Sequence, residues 1–229
     1  MYIRRFVSDI NELAESSELY FKMREVENHP IEIGFIQNGI KTLIVGTFPP
    51  KEVYESDDHF FFYSSTRNHF WNRMENIFPE WNKLKKTKTK CAEISPEQNK
   101  IDKENFSKEK KIGFLDIFSK ISRMKNSTKD NDLICVENIV ENGKLDKVII
   151  ENESLRRVCC TYKLAFEILK CKIEQNKLSI IEDSISANGQ KLIYKIGKRE
   201  IEIYLLYPAT RSRDKNETKD TQYKKLLFS

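Results

Sequence analysis

The 229-residue chain has little glycine and little proline, seven and six residues, which excludes collagen-like and linker-like sequences. No apolar run approaches the ~20 residues that a membrane-spanning helix needs. The opening stretch meets Asp9 and Asn11 too early to form the apolar segment of a signal peptide. Cysteine is sparse: Cys91, Cys135, Cys159, Cys160 and Cys171 form no CxxC pair. An odd number of cysteines without a leader reads as reduced thiols in an intracellular, cytoplasmic protein. The three histidines, His29, His59 and His69, are too scattered to add up to a metal-ligand pattern. No internal repeat appears at any period.

What the chain does have is aromatic residues and charge. Fourteen Phe, nine Tyr and two Trp can build a core. The 40 basic residues exceed the 35 acidic ones, for a net charge of +5. That balance permits a nucleic-acid partner without requiring one. The charge is uneven, with ten lysines against five acidic residues in 83–111 and six basic against three acidic in 207–229. A lysine run is ordinarily a solvated segment.

Apolar spacing over residues 2–27 (Phe6, Ile10, Leu13, Leu19, Tyr20, Met23) predicts helix. We therefore expect an N-terminal helical extension over 1–26 and one domain over 27–229, with a Lys-rich, aperiodic insertion at 83–111. Lys41–Gly46 reads as a buried strand, stopped by the turn Gly46-Thr-Phe-Pro-Pro50. His69–Phe78 reads as a helix, and Ile112–Phe118 resumes an apolar run. Arg156–Cys160 and Ile201–Tyr207 read as strands, and Lys163–Lys170 and Tyr223–Phe228 as helices. Short apolar strands alternating with helices predict an α/β class. The expected architecture is a single three-layer α/β/α domain around a mostly parallel sheet of four to five strands. The ligand crevice of such a sheet lies outside the carboxyl ends of its strands. That rule gathers segments 46–50, 116–130, 161–162 and 208–213.

Those segments carry a resemblance. Leu43-Ile-Val-Gly-Thr-Phe-Pro-Pro50 and Phe62-Tyr-Ser-Ser-Thr-Arg-Asn-His-Phe-Trp71 resemble motifs of the uracil-DNA glycosylase superfamily. The likeness is strongest to its hypoxanthine and mismatch-specific branches, with their Gly-Ser-Phe/Met-Pro turn and Tyr-Tyr-Ala-His-Pro-Arg-Asn-x-Phe-Trp segment. Glu27–Phe35, containing His29-Pro30, resembles a His-Pro-x-x-Pro-Phe lead-in. Gly113–Phe118 resembles a Gly-Ile-x-Leu-Tyr/Trp-Asp segment. Lys120–Asp130 resembles an Arg-x-x-x-Asn/Gly-Ser element, and Cys160–Ala165 a Thr-Thr-Gly-x-Lys-Ala turn. Leu206–Arg213 resembles a late Met-Pro-Ser-Ser-Ser-Arg loop. The pieces keep the family's order from about residue 27 onward.

The resemblance implies a DNA glycosylase, acting on double-stranded DNA with a damaged or mispaired base. Tyr63, with Phe62 beside it, takes the stacking position, and Thr161 the base-reading position. Asn68 takes the position of the water-orienting amide. The backbone of Gly46, Thr47 and Phe48 would stabilise charge on the departing base. Pro208, Thr210, Arg211, Ser212 and Arg213 form the loop that enters the minor groove. Phe48 and Thr161 depart from the pattern of uracil-removing members, which carry Asp or Asn and Asn there. Hydrolytic excision requires no metal and no organic cofactor, and the implied protein is a monomer with no membrane partner. Bland roles stand beside these. Asn68 suits a helix N-cap, Phe60–Tyr63 core filling, and Asp116 a turn carboxylate rather than a general base. A non-catalytic nucleic-acid module on the same scaffold, or an enzyme that binds a nucleotide or nucleoside, are the alternatives.

Overall fold

The structure is a computed structural model. It describes residues 24–31, 34–51, 60–65, 68–84, 95–124, 133–139, 143–175, 180–186, 189–196, 198–207 and 216–228. Nine strands are described: β1 (Arg24–Asn28), β2 (Thr42–Gly46), β3 (Ile112–Asp116), β4 (Phe118–Met124), β5 (Leu133–Asn138), β6 (Arg157–Cys160), β7 (Ile180–Ser186), β8 (Gly189–Ile196) and β9 (Arg199–Leu205). Five helices accompany them: α1 (Phe70–Ile77), α2 (Pro96–Glu109), α3 (Lys144–Glu151), α4 (Lys163–Gln175) and α5 (Asn216–Phe228).

The main sheet has six strands in the order β3-β2-β6-β9-β8-β7. Its first four run parallel, and β8 and β7 complete it antiparallel. The sheet is thus larger than expected, because the chain between α4 and β9 adds a hairpin. All five residues of β2 are buried, as are those of β3, in keeping with strands covered on both faces. Alternate residues feed two cores. Leu43, Val45, Val158 and Cys160 face one core with Leu145, Ile149, Phe166 and Leu169 of α3 and α4. Ile44, Phe114 and Cys159 face the other with Trp71, Phe106 and Tyr223 of α1, α2 and α5. This is the three-layer α/β/α architecture that the strand–helix alternation predicts. Burial pushes the Cys159 thiol up to about 12, and Cys160 is raised as well. Both are core residues rather than nucleophiles.

A second sheet, β1-β4-β5, is antiparallel. The expected boundary at 26/27 falls inside β1, while residues 1–23 lie outside the described residues. Beyond β1 the ladder continues as His29 donates its backbone N–H to Ser119 O at 2.8 Å. Phe35 and Phe114 then exchange backbone bonds of 2.8 and 2.9 Å. The segment after β1 is thereby drawn along the outer edge of β3. Gly34 allows this approach: it has φ +76°, and a Cβ there would lie 2.3 Å from Phe114 O.

The stretch expected to be an aperiodic insertion is, over 96–109, the helix α2. Ser95 caps it by accepting the Gln98 N–H at 3.1 Å, and Pro96 sits in its first turn. Its inward face is Asn99, Lys103, Phe106 and Ser107. That spacing is helical, but three polar residues in it hide the period from an apolar count.

Candidate active site

In the order β3-β2-β6-β9, β2 lies between its two parallel neighbours, and the chain winds away from it in opposite directions. The crevice of such a sheet forms at this switch, outside the carboxyl ends of β2 and β6. Gly46 ends β2, Asp116 ends β3, and Thr161 follows β6. The Thr161 N–H donates to Val45 O at 3.0 Å, and the Ile117 N–H to Gly46 O at 3.0 Å, so the three strand ends are tied together.

Tyr63 closes over them. Its hydroxyl lies 3.0 Å from Thr161 Oγ1, which in turn lies 3.3 Å from Val45 O. One orientation satisfies both contacts, with Tyr63 donating to Thr161 and Thr161 donating to the carbonyl. The Tyr63 ring stacks on Phe70 at 5.0 Å. Its backbone has φ 58°, a left-handed conformation that a bulky residue adopts only when its surroundings hold it there. Those surroundings are identifiable. The Trp71 indole donates to Phe62 O at 2.8 Å, and the buried Lys103 of α2 donates to Ser64 Oγ at 2.9 Å. Burial first, and the Asp116 carboxylate second, push the Tyr63 phenol well above its ordinary value. It therefore remains a neutral donor.

Gly46 is small for a reason. A Cβ on it would lie 2.2 Å from Asp116 Oδ1 and 2.9 Å from the Tyr63 hydroxyl. The carboxylate and the phenol therefore converge on one point above the end of β2. The other carboxylate oxygen, Oδ2, lies 3.1 Å from His29 Nε2. His29 Nδ1 accepts the Ile31 backbone N–H at 3.0 Å. A backbone amide can only donate, so Nδ1 is the accepting nitrogen and the ring N–H that meets the carboxylate is on Nε2. The His29 ring stacks on Phe62 at 5.8 Å and meets Phe48 edge-on at 5.2 Å. The pairing of His29 with Asp116 spans 87 residues of sequence, and neither flank signals it.

The residues singled out from the sequence divide as follows. Gly46, Tyr63 and Thr161 meet. Thr47 and Phe48 are buried in the turn after β2, and the Phe118 N–H donates to Thr47 O at 3.1 Å. Phe48 walls His29 instead of offering a polar group. Phe62 is 1% exposed, with its ring against those of Phe114 and His29. No face is left on it for a base, so it supports the site from beneath. Asn68 Oδ1 accepts the Phe70 N–H at 2.8 Å, which anchors the side chain at the start of α1, beside the ring on which Tyr63 stacks. The Thr161 hydroxyl is engaged by Tyr63 and Val45 and positions the tyrosine. Pro208, Thr210, Arg211, Ser212 and Arg213 lie outside the described residues. The chain leading to them is fixed, since the Tyr207 N–H donates to Gln222 Oε1 at 2.8 Å and Tyr223 OH to Tyr207 O at 2.9 Å. At the rim beside Thr161, Tyr162 and Leu164 are 38% and 48% exposed.

No group of three or more potential ligands is placed to hold a metal among the described residues. None of the described helices is long and apolar enough to cross a membrane. No family model matches the sequence, and no curated protein matches it. Among solved structures, an NMR structure of a "putative uracil DNA glycosylase" from Methanosarcina acetivorans matches with a TM-score of 0.50. The match covers 89% of this chain and 97% of that one at 16% identity. The chain therefore has the α/β fold of that glycosylase-like structure, the fold that its motifs implied.

Proposed function

We propose that the protein is a DNA glycosylase of the uracil-DNA glycosylase superfamily. In this reading it removes a deaminated or mispaired base, such as hypoxanthine or uracil, from duplex DNA by hydrolysing the N-glycosidic bond. The observation that carries the reading is the convergence of Gly46, Tyr63, Asp116 and Thr161 at the switch point of the sheet. This is where a sheet of this topology binds its ligand.

Excision needs an extrahelical base, and flipping one out costs a few kcal/mol of stacking and pairing. Tyr63, pinned at its hydroxyl and along its ring, supplies a preset aromatic edge to the base pocket. Asn68 would orient the attacking water at C1′ without adding charge. The backbone of Gly46–Phe48 would stabilise negative charge on the departing base, as preorganised dipoles do at other developing anions. The loop 208–213, with Arg211 and Arg213, would contact phosphates and press on the minor groove. No cofactor takes part, because water is the only co-substrate. The exact base remains the experimental variable: the Thr161 hydroxyl is committed to Tyr63 and Val45, so base reading would fall to other groups around the pocket.

The test is incubation of purified protein with duplexes bearing uracil, hypoxanthine, xanthine, or a G·T or G·U mismatch. Abasic product on at least one, reduced at least ~100-fold by Asn68→Ala with duplex binding retained, supports the reading. Salt-dependent duplex binding without product on any duplex would favour a non-catalytic binding module.

A further inference from the structure

Asp116 is a charged group in the core of this site with no assigned role. Its residue is 8% exposed, as is His29. Among the described residues, the partner on Oδ2 is a histidine whose second nitrogen is occupied by a backbone donor. The pair is packed beside the rings of Phe48 and Phe62. Among the described residues, the buried Arg123, which lies over the Phe48 ring, is matched by Glu27, with Arg123 Nε 3.2 Å from Glu27 Oε1. A buried carboxylate is costly to place, and a purely structural role is served as well by a neutral polar side chain. Oδ1 faces the point shared with Tyr63 above Gly46.

Resting on the function proposed above, we infer that Asp116, oriented by His29, is the catalytic carboxylate of the site. When the glycosidic bond breaks, the sugar becomes oxocarbenium-like and positive. Oδ1 faces that charge and accepts a proton from the attacking water. The water oxygen bonds to C1′ as the C1′–N electron pair leaves with the base. The proton taken by Oδ1 then passes to the anionic base nitrogen, which leaves the free base, the abasic sugar and the original carboxylate. His29 is a positioning residue: its Nε2–H holds Oδ2 and so aims Oδ1.

The test is a binding measurement that does not depend on turnover. One duplex carries a cationic pyrrolidine abasic analogue, a second carries the neutral tetrahydrofuran analogue, and a third is undamaged. The wild type is expected to prefer the cationic duplex to the neutral one by about tenfold or more, as transition-state analogues are preferred. Asp116→Asn should abolish that preference while keeping the affinity for the neutral duplex. His29→Gln should reduce it, and thermal melting confirms that both variants fold. An unchanged preference in Asp116→Asn overturns this inference and leaves the glycosylase reading standing. Equal binding of all three duplexes by the wild type overturns both.

Discussion

At the scale of single residues, the site depends on one atom that is absent. A methyl group on Gly46 would occupy the space of Asp116 Oδ1, so Gly46→Ala must displace the carboxylate, the tyrosine or the strand end. The expected outcome is a loss of excision of ~100-fold or more with the fold retained. Far-UV circular dichroism and a single-turnover assay check it together. Thr161 offers a gentler probe. Thr161→Val removes the hydroxyl that joins Tyr63 to Val45 O and should cost about 1 kcal/mol of stability. Tyr63→Phe removes the same link from the other side. The double variant should therefore cost less than the sum of the two singles in denaturant unfolding. The sequence made several of these residues legible. Gly46, Tyr63 and Asn68 stand in local motifs, and motifs survive in a string of letters. His29 was visible only as part of a lead-in, because its partner lies 87 residues away. Asp116 reads from sequence as a turn carboxylate because its surroundings, His29, Gly46 and Tyr63, come from distant parts of the chain and not from its neighbours in sequence.

At the scale of elements, the parallel strands of the main sheet were legible, and so were helices α1 and α4. β2 and β6 announce themselves by apolar runs, since a strand buried on both faces favours apolar residues at every position, and β9 by the alternation Ile201, Ile203 and Leu205. Helix α2 did not, because its buried face uses Asn99, Lys103 and Ser107 beside Phe106. Each of those polar groups has a local use: Asn99 Nδ2 donates to Lys83 O at 2.7 Å, and Ser107 Oγ to Lys103 O at 2.6 Å. The signal that was present is Ser95-Pro96, a cap followed by proline in the first turn. Ser95→Ala should destabilise the protein by about 1 kcal/mol, read from its urea midpoint. An unchanged midpoint would mean that α2 contributes little to the stability of the domain. Since Lys103 of α2 holds Ser64, the helix expected to be an insertion is part of what fixes the Tyr63 segment.

At the scale of the molecule, the alternation of strands and helices was enough to predict three layers. It was not enough to predict the β7–β8 hairpin or the separate β1-β4-β5 sheet. The β1-β4-β5 sheet depends on a pairing of distant segments, such as Arg24 with Met124, whereas the β7–β8 hairpin is local, with Ser186 opposite Gly189, and its strands carry too many polar residues to form an apolar run. The charge distribution also changes meaning in three dimensions. Lys103 is buried, and Lys110 Nζ sits 4.2 Å from the Phe78 ring centre, so not all of the lysines in 83–111 form a solvated run. Under the proposed function, Arg211 and Arg213 of the tail, which lie outside the described residues, take an electrostatic role. Replacing both with alanine should weaken duplex binding across sequences and flatten its salt dependence by about two phosphate contacts. Equal slopes for variant and wild type would place DNA elsewhere on the surface.

The central claim is that the site at the switch point of the sheet hydrolyses a glycosidic bond. A single-turnover excision assay on uracil, hypoxanthine, xanthine, G·T and G·U duplexes, run beside Asn68→Ala, tests it most directly. The account predicts abasic product on at least one duplex and its loss in the variant with binding intact. Wild-type protein that leaves every duplex uncut would contradict it.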